Sequence, residues 1–126
     1  MRSVVYDTGV LIAADRSKRR VWAEHRVRLE AGYVALVPAA VVAQASRSPN
    51  QAQMRRFLRG CEVVELDERA AHAAGALLGK TRTRDVVDAS VAELSIRRQV
   101  DIVSDDPGDI RRLLAAANAK TAILDL

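Results

Sequence analysis

The sequence predicts an α/β fold, a three-layer α/β/α sandwich around a central, mostly parallel sheet of four to five strands. Short apolar runs of strand length alternate along the chain with longer segments of helical spacing, which is typical of parallel sheets covered by helices. The 126 residues contain no repeat, linker or low-complexity tract. We therefore expect a single domain over residues 1–126.

The first half of the chain contains two predicted strands, each followed by helices. Ser3–Tyr6 is a short apolar run, which favours a buried strand, and Asp7 or Thr8 then suits the N-cap of a helix. Pro38 suits the first turn of another helix. The predicted elements are a strand at Ser3–Tyr6, helices at Thr8–Asp15 and over 18–31, a strand over 34–37, and helices over 38–47 and 50–59.

The second half continues this alternation, with aspartates at the helix starts. Asp67 and Asp85 each precede a helical segment, as N-cap residues do. Asp106 and Pro107 match a further helix start, in which proline follows the cap. The predicted elements are a strand over 62–66, a helix from 67 to about 79, a helix over 85–98, a strand at Asp101–Val103, a helix from 106 to about 118, and a strand over 121–126.

The composition favours a polyanionic partner and an oxygen-based metal site. The net charge is +4, and basic surfaces attract phosphates. Aromatic residues make up only 3% of the chain, which weakens a role in stacking single-stranded bases. Cys61 is the only cysteine, so a thiolate zinc site is excluded. Because His25 and His72 are the only imidazoles, a metal would be held mainly by oxygen, which points to Mg²⁺ or Mn²⁺.

No segment of the sequence indicates export or membrane insertion. The N-terminal apolar run is too short for a signal peptide and is interrupted by Asp7. No apolar run approaches the length that crosses a bilayer. The sequence therefore predicts a cytoplasmic protein without a membrane partner.

Aspartates follow the predicted strands at the positions where α/β folds bind ligands. Such folds bind ligands beyond the carboxyl ends of parallel strands, at a switch in strand order. Asp7 ends the first strand, and Asp105 and Asp106 follow the strand at Asp101–Val103. If these two strands are parallel neighbours, their carboxylates emerge at one edge of the sheet.

A second acidic pair begins the apolar helix over 85–98. Asp85 and Asp88 are three residues apart and therefore share a helix face. Asp88 lies among apolar residues, where a buried carboxylate is costly unless something compensates it. A divalent cation compensates it, because the cation removes repulsion among carboxylates, activates water and stabilises charge on a phosphate. The acids therefore predict a divalent-metal site.

Most of these acids also have a local structural interpretation. Asp7 and Asp85 could simply cap the helices that follow them. Asp106 and Asp109 fit a helix start with a cap residue and an acid in the first turn. Asp88 has no such interpretation, so it argues most strongly for a metal.

Two other acid-based families can be set aside. A haloacid-dehalogenase-like phosphotransferase needs a second aspartate two residues after the first, where this chain has Gly9. A receiver domain of a signalling relay needs a phosphoacceptor aspartate in mid-chain, where residues 48–51 read SPNQ.

Four segments carry a family resemblance: VVYDTGVLIAA, PAAVVAQASR, DVVDASVAEL and IVSDDPGDIRRLL. In this order and spacing, and over nearly the whole chain, they resemble a PIN domain, most closely the VapC toxins of type II toxin–antitoxin systems. The resemblance implies a metal site that comprises Asp7, Asp88 and Asp106, with Asp109 as a further acid and with Thr8 and Ser104 lining it. It also implies Mg²⁺- or Mn²⁺-dependent cleavage of RNA such as tRNA, a homodimer, and inhibition by a small VapB-like antitoxin.

Gln44 departs from the family pattern, which has a glutamate at this position. Glutamine brings no negative charge, although its amide oxygen can bind a metal or a metal-bound water. The exchange weakens a second metal position more than the first. Asp85 or Asp105 could restore the missing charge if either reaches the site.

Among the remaining polar residues, one basic group is assigned to the site, and Arg111 and Arg112 after Asp109 either act likewise or receive an acidic segment of an antitoxin. Lys80, Arg82 and Arg84 precede Asp85, and cations beside a metal site can hold phosphates next to the scissile one. His25 and His72 are assigned structural roles. The residues interpreted as solvated surface are Arg16, Lys18, Arg19, Arg20, Arg55, Arg56 and Arg59, and the glutamates Glu24, Glu30, Glu68 and Glu93.

Two functions remain open from the sequence. The first is a metal-dependent endoribonuclease that hydrolyses RNA phosphodiester bonds as the toxin of a toxin–antitoxin pair. The second, motivated by Gln44, is a catalytically weak or inactive PIN-like protein that binds RNA or an antitoxin without turnover.

Overall fold

The computed structural model describes residues 2–126, which contain five β-strands and seven α-helices. The strands are β1 (Ser3–Tyr6), β2 (Val34–Pro38), β3 (Cys61–Val64), β4 (Asp101–Val103) and β5 (Ile123–Leu124). The helices are α1 (Thr8–Asp15), α2 (Arg19–Glu30), α3 (Ala39–Ala45), α4 (Ala52–Leu58), α5 (Glu68–Thr81), α6 (Val86–Arg98) and α7 (Gly108–Ala116). Within residues 2–126, every helix is too short or too polar to cross a bilayer.

The strands form one parallel sheet in the order β3-β2-β1-β4-β5. Crossovers between parallel strands are right-handed, so the helices between β1 and β3 cover one face and those between β3 and β5 cover the other. In agreement, α1 packs against α2 and α4, whereas α5, α6 and α7 pack against one another. The predicted three-layer α/β/α sandwich is confirmed, with five strands that are all parallel.

Three elements have their predicted bounds, and the others differ by one or a few residues at an end. The strands at Ser3–Tyr6 and Asp101–Val103 and the helix at Thr8–Asp15 have their predicted bounds. Pro38 does not begin α3 as predicted. Its extended backbone, with φ −58° and ψ 140°, makes it the last residue of β2. The predicted strand over 121–126 is limited to Ile123–Leu124, which pair with Ile102 and Val103 of β4.

The central strand β1 is covered by helices on both faces. Val4, Val5 and Tyr6 are fully buried, as expected for a strand without a solvated side. Aromatic residues are scarce, so most of the core consists of valine, leucine, isoleucine and alanine. Asp7 is therefore the first charged side chain after an apolar run at the centre of the molecule.

His25 belongs to an aromatic cluster beneath α2 and has a structural role, as predicted. Its ring centroid lies 4.1 Å from that of Phe57. Arg28 Nη1 donates to the Tyr6 hydroxyl at 3.3 Å, and that hydroxyl lies 2.8 Å from His25 Nδ1. An arginine can only donate, so the tyrosine proton is free to go to His25, which accepts as a neutral imidazole.

Glu93 is buried, so its predicted solvated position is wrong. Helix α6 packs against both α5 and α7, and this covers a face that a surface helix would expose. Arg97, one turn later, compensates the buried carboxylate and donates from Nε to Glu93 Oε2 at 3.0 Å.

The burial of His25 makes a prediction about acid stability. Desolvation, followed by the charge of Arg28, lowers the pKa of His25 to about 4. An unfolded histidine titrates near 6.5, so this stabilisation is complete above that pH and is lost as the pH falls towards 4. Between pH 7 and pH 4.5, we expect the free energy of unfolding of the wild type to fall by about 2 kcal/mol more than that of His25→Gln.

Urea unfolding followed by circular dichroism at both pH values measures this difference. His72→Gln, at an exposed position, is the matched control. Parallel losses in the wild type and in His25→Gln would contradict the assignment.

Candidate active site

The carboxyl ends of β1 and β4 define the switch in strand order. The chain runs from β1 outwards to β2 and β3, and then returns to the other side of β1 as β4. Tyr6 pairs with Val103, so Asp7 and Ser104 directly follow the paired ends of the two strands. The Asp7 backbone N–H donates to the Val103 carbonyl oxygen at 3.1 Å, which keeps the strand ends together. This is where α/β folds bind ligands.

Asp7 is a buried carboxylate with a hydrogen bond at each oxygen. Its Oδ1 accepts from the Thr8 backbone N–H at 2.7 Å, and its Oδ2 accepts from Ser104 Oγ at 2.7 Å. Burial raises the pKa of Asp7; the two hydrogen bonds oppose this rise, while the charges of Asp105 and Asp106 add to it. Asp7 does cap α1, but its bond to a residue 97 positions away goes beyond capping.

Ser104 connects two of the predicted site acids. It is fully buried, and its Oγ both donates to Asp7 and accepts from the Asp106 backbone N–H at 3.0 Å. The predicted site-lining position of Ser104 therefore has a physical basis. One hydroxyl fixes the backbone of Asp106 relative to the carboxylate of Asp7.

Asp106 does not cap α7, so the local interpretation of this residue is wrong. The helix begins at Gly108, and Pro107 occupies the cap position without a side-chain hydrogen bond. The carboxylate of Asp106 is exposed and remains available for other interactions. Asp109, in the first turn of α7, is also exposed, and its Oδ1 lies 3.7 Å from Arg112 Nη1.

Asp88 is half-buried in the first turn of α6. Burial raises the pKa of Asp88 to about 7, and the charges of four other aspartates contribute to this rise. These four, in order of their effect, are Asp85, Asp7, Asp109 and Asp106. The fold therefore brings Asp88 within electrostatic range of every other acid predicted for the metal site.

Asp85 and Asp105 occupy different positions around this cluster. Asp85 caps α6, as its local interpretation predicts, by accepting from the Asp88 backbone N–H at 2.9 Å. Asp105 lies against the start of α1, because a Cβ atom placed on Gly9 would be only 2.2 Å from Asp105 Oδ1. The absence of a side chain at Gly9 thus allows Asp105 to approach Asp7, where it contributes to the raised pKa of Asp7.

Gln44 is connected to Asp7 through the intervening Thr8. Thr8 Oγ1 donates to Gln44 Oε1 at 2.6 Å, and the backbone N–H of the same threonine donates to Asp7. Gln44 itself is exposed on α3, while Thr8 is buried. The two residues therefore line the site on the side of α1 and α3.

The predicted nucleic-acid-binding residues lie on the opposite side. Lys80 is in the last turn of α5, Arg82 ends that helix in a left-handed conformation with φ 56°, and Arg84 precedes the cap of α6. All three are exposed, and no ion pair joins them to another residue of the described chain.

The donor set fits a hard divalent cation in type and in charge. The side chains of this cluster offer carboxylate oxygens, and a cation would relieve the repulsion that adds to the effect of burial on the pKa of Asp88. Within residues 2–126, no three side chains of histidine, cysteine, aspartate or glutamate already have the spacing of metal ligands. Asp106 and Asp109 are exposed, so their side chains are free to rotate towards a bound ion.

Comparisons with known proteins identify a family and similar folds. The family model of the PIN domain matches residues 4–113. The fold is similar to a chain of VapBC2 from Rickettsia felis bound to a promoter DNA fragment, with a TM-score of 0.74, 13% identity and 98% of each chain covered. It is also similar to a chain of DNA-bound VapBC from Salmonella typhimurium, with a TM-score of 0.74, 15% identity, and 99% of this chain and 98% of that chain covered. For FitAcB from Neisseria gonorrhoeae, the TM-score is 0.66 and the identity 15%, with 96% of each chain covered. No curated protein matches the chain.

The raised pKa of Asp88 predicts that the site destabilises the metal-free protein at neutral and higher pH. The pKa of the folded protein, about 7, lies above the value of 3.8 for an ordinary aspartate, so stability is lost as the pH rises between these values. In EDTA, we expect Asp88→Asn to be more stable than the wild type at pH 8 by at least about 1 kcal/mol, after allowance for solvent screening. At pH 4, this gain should disappear.

Urea unfolding in EDTA at pH 4 and pH 8 measures the two differences. Asp67→Asn is the control, because it removes the same charge at the cap of α5, where asparagine caps equally well. A stability difference between Asp88→Asn and wild type that is the same at both pH values would disprove this account of Asp88.

Proposed function

This chain belongs to the PIN domain family, whose members are nucleases, and on that premise we propose that it is a metal-dependent endoribonuclease. It would hydrolyse RNA phosphodiester bonds as the VapC-like toxin of a toxin–antitoxin pair. The observation that carries the proposal is the buried carboxylate of Asp7, which two hydrogen bonds hold at the switch point within electrostatic range of Asp88 and Asp106.

The proposed metal ligands are the aspartates that converge on this point. Asp7, Asp88 and Asp106 would hold Mg²⁺ or Mn²⁺, with Asp109 acting through water. When bound, such a cation activates water for attack on the phosphodiester and offsets negative charge that develops at the phosphate. The oxygen-only donor set supports this choice of metals over zinc.

The surrounding residues prepare the carboxylates for this role. Ser104 and the Thr8 backbone hold Asp7 in one orientation and favour its anionic form. The pKa of Asp88, about 7, means that a proton competes with the cation near neutral pH. Asp85 adds negative charge next to Asp88, and Thr8 places Gln44 beside the site.

We assign the substrate contacts from charge and exposure, and the partners from the similar folds. Lys80, Arg82 and Arg84 would hold phosphates on the α6 side of the scissile bond, since they are exposed, basic and adjacent to Asp85. A small VapB-like antitoxin is the proposed inhibitor, because the similar folds come from VapBC and FitAcB complexes. The proposed working form is a homodimer in the cytoplasm, with RNA such as tRNA as the substrate.

A second candidate function is supported by Gln44. A neutral amide occupies the position where the family pattern has a carboxylate, and its oxygen is already engaged by Thr8. A protein with this change would retain RNA or antitoxin binding with weak cleavage or none.

We expect the loss of either proposed ligand, Asp7 or Asp88, to abolish cleavage while the fold survives. Asp7→Asn and Asp88→Asn keep the size of each side chain and remove the charge that would hold the cation; at Asp7, an amide nitrogen also replaces one of the two accepting oxygens. Cleavage of total cellular RNA in Mn²⁺ or Mg²⁺ should fall by about 100-fold or more, to the level seen in EDTA.

The control for this experiment is Asp101→Asn, at the opposite edge of the sheet, where Asp101 accepts from the Ala122 backbone N–H at 2.8 Å. Circular dichroism should show that all three variants are folded. If both site variants cleave as fast as Asp101→Asn does, the assignment is wrong.

Gln44→Glu separates the two candidate functions. The added carboxylate should tighten Mn²⁺ binding by about tenfold, as measured by calorimetry, because a glutamate at this position would keep the Thr8 hydrogen bond and add charge. If cleavage also rises strongly, the natural protein is impaired at this position, which favours the binding function. If cleavage is already present and does not rise, the site works without this carboxylate.

A further inference from the structure

Two grooves lie beside α1, and both are lined by residues of this helix and by Arg16 after it. The first, of about 410 Å³, lies between α1 and the segment after α3, and its walls include Gln44, Ser48 and Gln51. We call it the Gln44 groove. The second, of about 360 Å³, lies between α1 and the start of α2, and its walls include Gly9 and Asp105. We call it the Gly9 groove.

Each groove is lined by a residue that lies next to the site, Gln44 in one and Asp105 in the other. Gln44 accepts the hydroxyl hydrogen bond of Thr8, next to Asp7. Gly9 is two residues after Asp7, and the Asp105 carboxylate lies directly over it. Each groove therefore has one end next to a residue that adjoins Asp7.

Arg16 is the charged residue that the two grooves share, and Ile12 is the other residue that lines both. Arg16 follows the last turn of α1 and lines the Gln44 groove on one side and the Gly9 groove on the other. Arg47 adds a second cation to the Gln44 groove, and Lys18 adds one to the Gly9 groove. The far ends of both grooves are therefore basic, whereas their near ends adjoin the acidic cluster.

These three cations form no ion pairs with carboxylates of the described residues. No ion pair joins Arg16, Lys18 or Arg47 to another residue within 2–126, and all three are exposed. Asp15 is the acid in the Gln44 groove. Its carboxylate forms a hydrogen bond within the protein, because its Oδ1 accepts from the Met54 backbone N–H at 3.2 Å. Arg20, by contrast, is paired with Glu24 at 2.9 Å.

We infer that Arg16, with Arg47 and Lys18 beside it, binds backbone phosphates of the substrate strand on the α1 side of the scissile bond. This inference rests on the proposed function. It makes α1 a track for the nucleic-acid backbone, and Arg16 a positioning residue that holds the strand where it leaves the carboxylate cluster. Phosphate contacts of this kind fix register and orientation without reading bases.

The track also complements the basic loop on the other face of the sheet. Lys80 lies in the last turn of α5 and Arg82 and Arg84 follow it before α6, whereas Arg16 directly follows α1. A cation on each side of the acidic cluster holds the strand across the sheet edge, and the repulsion between the phosphates and the unliganded aspartates is balanced from both sides. An acidic segment of a partner protein would meet the basic ends of the grooves but has no reason to continue to the acidic cluster.

The test measures binding of a fluorescently labelled single-stranded RNA and of bulk tRNA by anisotropy in EDTA, across a series of salt concentrations. A single-strand phosphate contact contributes about 0.7 to the slope of log K against log salt, which corresponds to about fivefold in affinity at 0.1 M salt. We expect Arg16→Gln to lose about fivefold and about 0.7 of the slope, and Arg16→Lys to retain both. Arg16→Gln combined with Arg47→Gln should lose more.

Arg98→Gln is the matched control. It removes the same charge from an exposed residue at the far end of α6, about 20 Å along that helix from Asp85, and we expect it to change neither quantity. If the wild type binds RNA and the double variant retains both its affinity and its salt slope, the inference is overturned while the proposed function stands. If the double variant instead loses only its binding to a polyglutamate peptide, the surface serves an acidic partner protein and the inference is equally overturned. If the wild type binds no RNA, both the inference and the proposed function fall.

Discussion

The burial of the Asp7 carboxylate is the constraint on which the rest of this structure depends. A charged group at the end of a fully covered central strand is costly unless its oxygens are satisfied. The two donors that satisfy it come from opposite ends of the sequence, the Thr8 backbone and the Ser104 hydroxyl. Ser104 is within reach only because β1 and β4 are parallel neighbours in the register that pairs Tyr6 with Val103. The register of β1 and β4 therefore also determines the geometry of the site.

The site concentrates negative charge at the expense of stability. The charges of Asp85, Asp7, Asp109 and Asp106 all add to the burial that raises the pKa of Asp88. Nothing in packing requires so many carboxylates at one sheet edge, and like charges in one place disfavour folding. A bound cation would offset that repulsion. Metal binding therefore explains why the carboxylates lie together, whereas helix capping does not. In our proposals, Arg16 after α1 and Arg82 and Arg84 before α6 would bind phosphates on either side of the same charge.

Local sequence patterns predicted some residues of this site, but they did not predict the contacts between distant parts of the chain. Asp88 could be identified because a carboxylate within an apolar helix has no local explanation. Asp106 was harder, since the sequence DPGD also fits a capped helix start, and only the backbone shows that the helix begins two residues later. Glu93 was misjudged for a related reason, because its exposure depends on how α5 and α7 cover α6.

The sequence by itself determined the order of strands and helices, the apolar centre of the sheet and the types of ligand atom available. These properties follow from periodicity and composition, which are local. Only the tertiary structure decided that Ser104 bridges Asp7 and Asp106, that Thr8 connects Gln44 to the site, and that the carboxylate of Asp105 fits over Gly9. It also decided that the exposed Arg16 lines two grooves beside α1. Such relations depend on strand register and on the faces that the crossovers assign to each helix, and neither is encoded in any short segment of the chain.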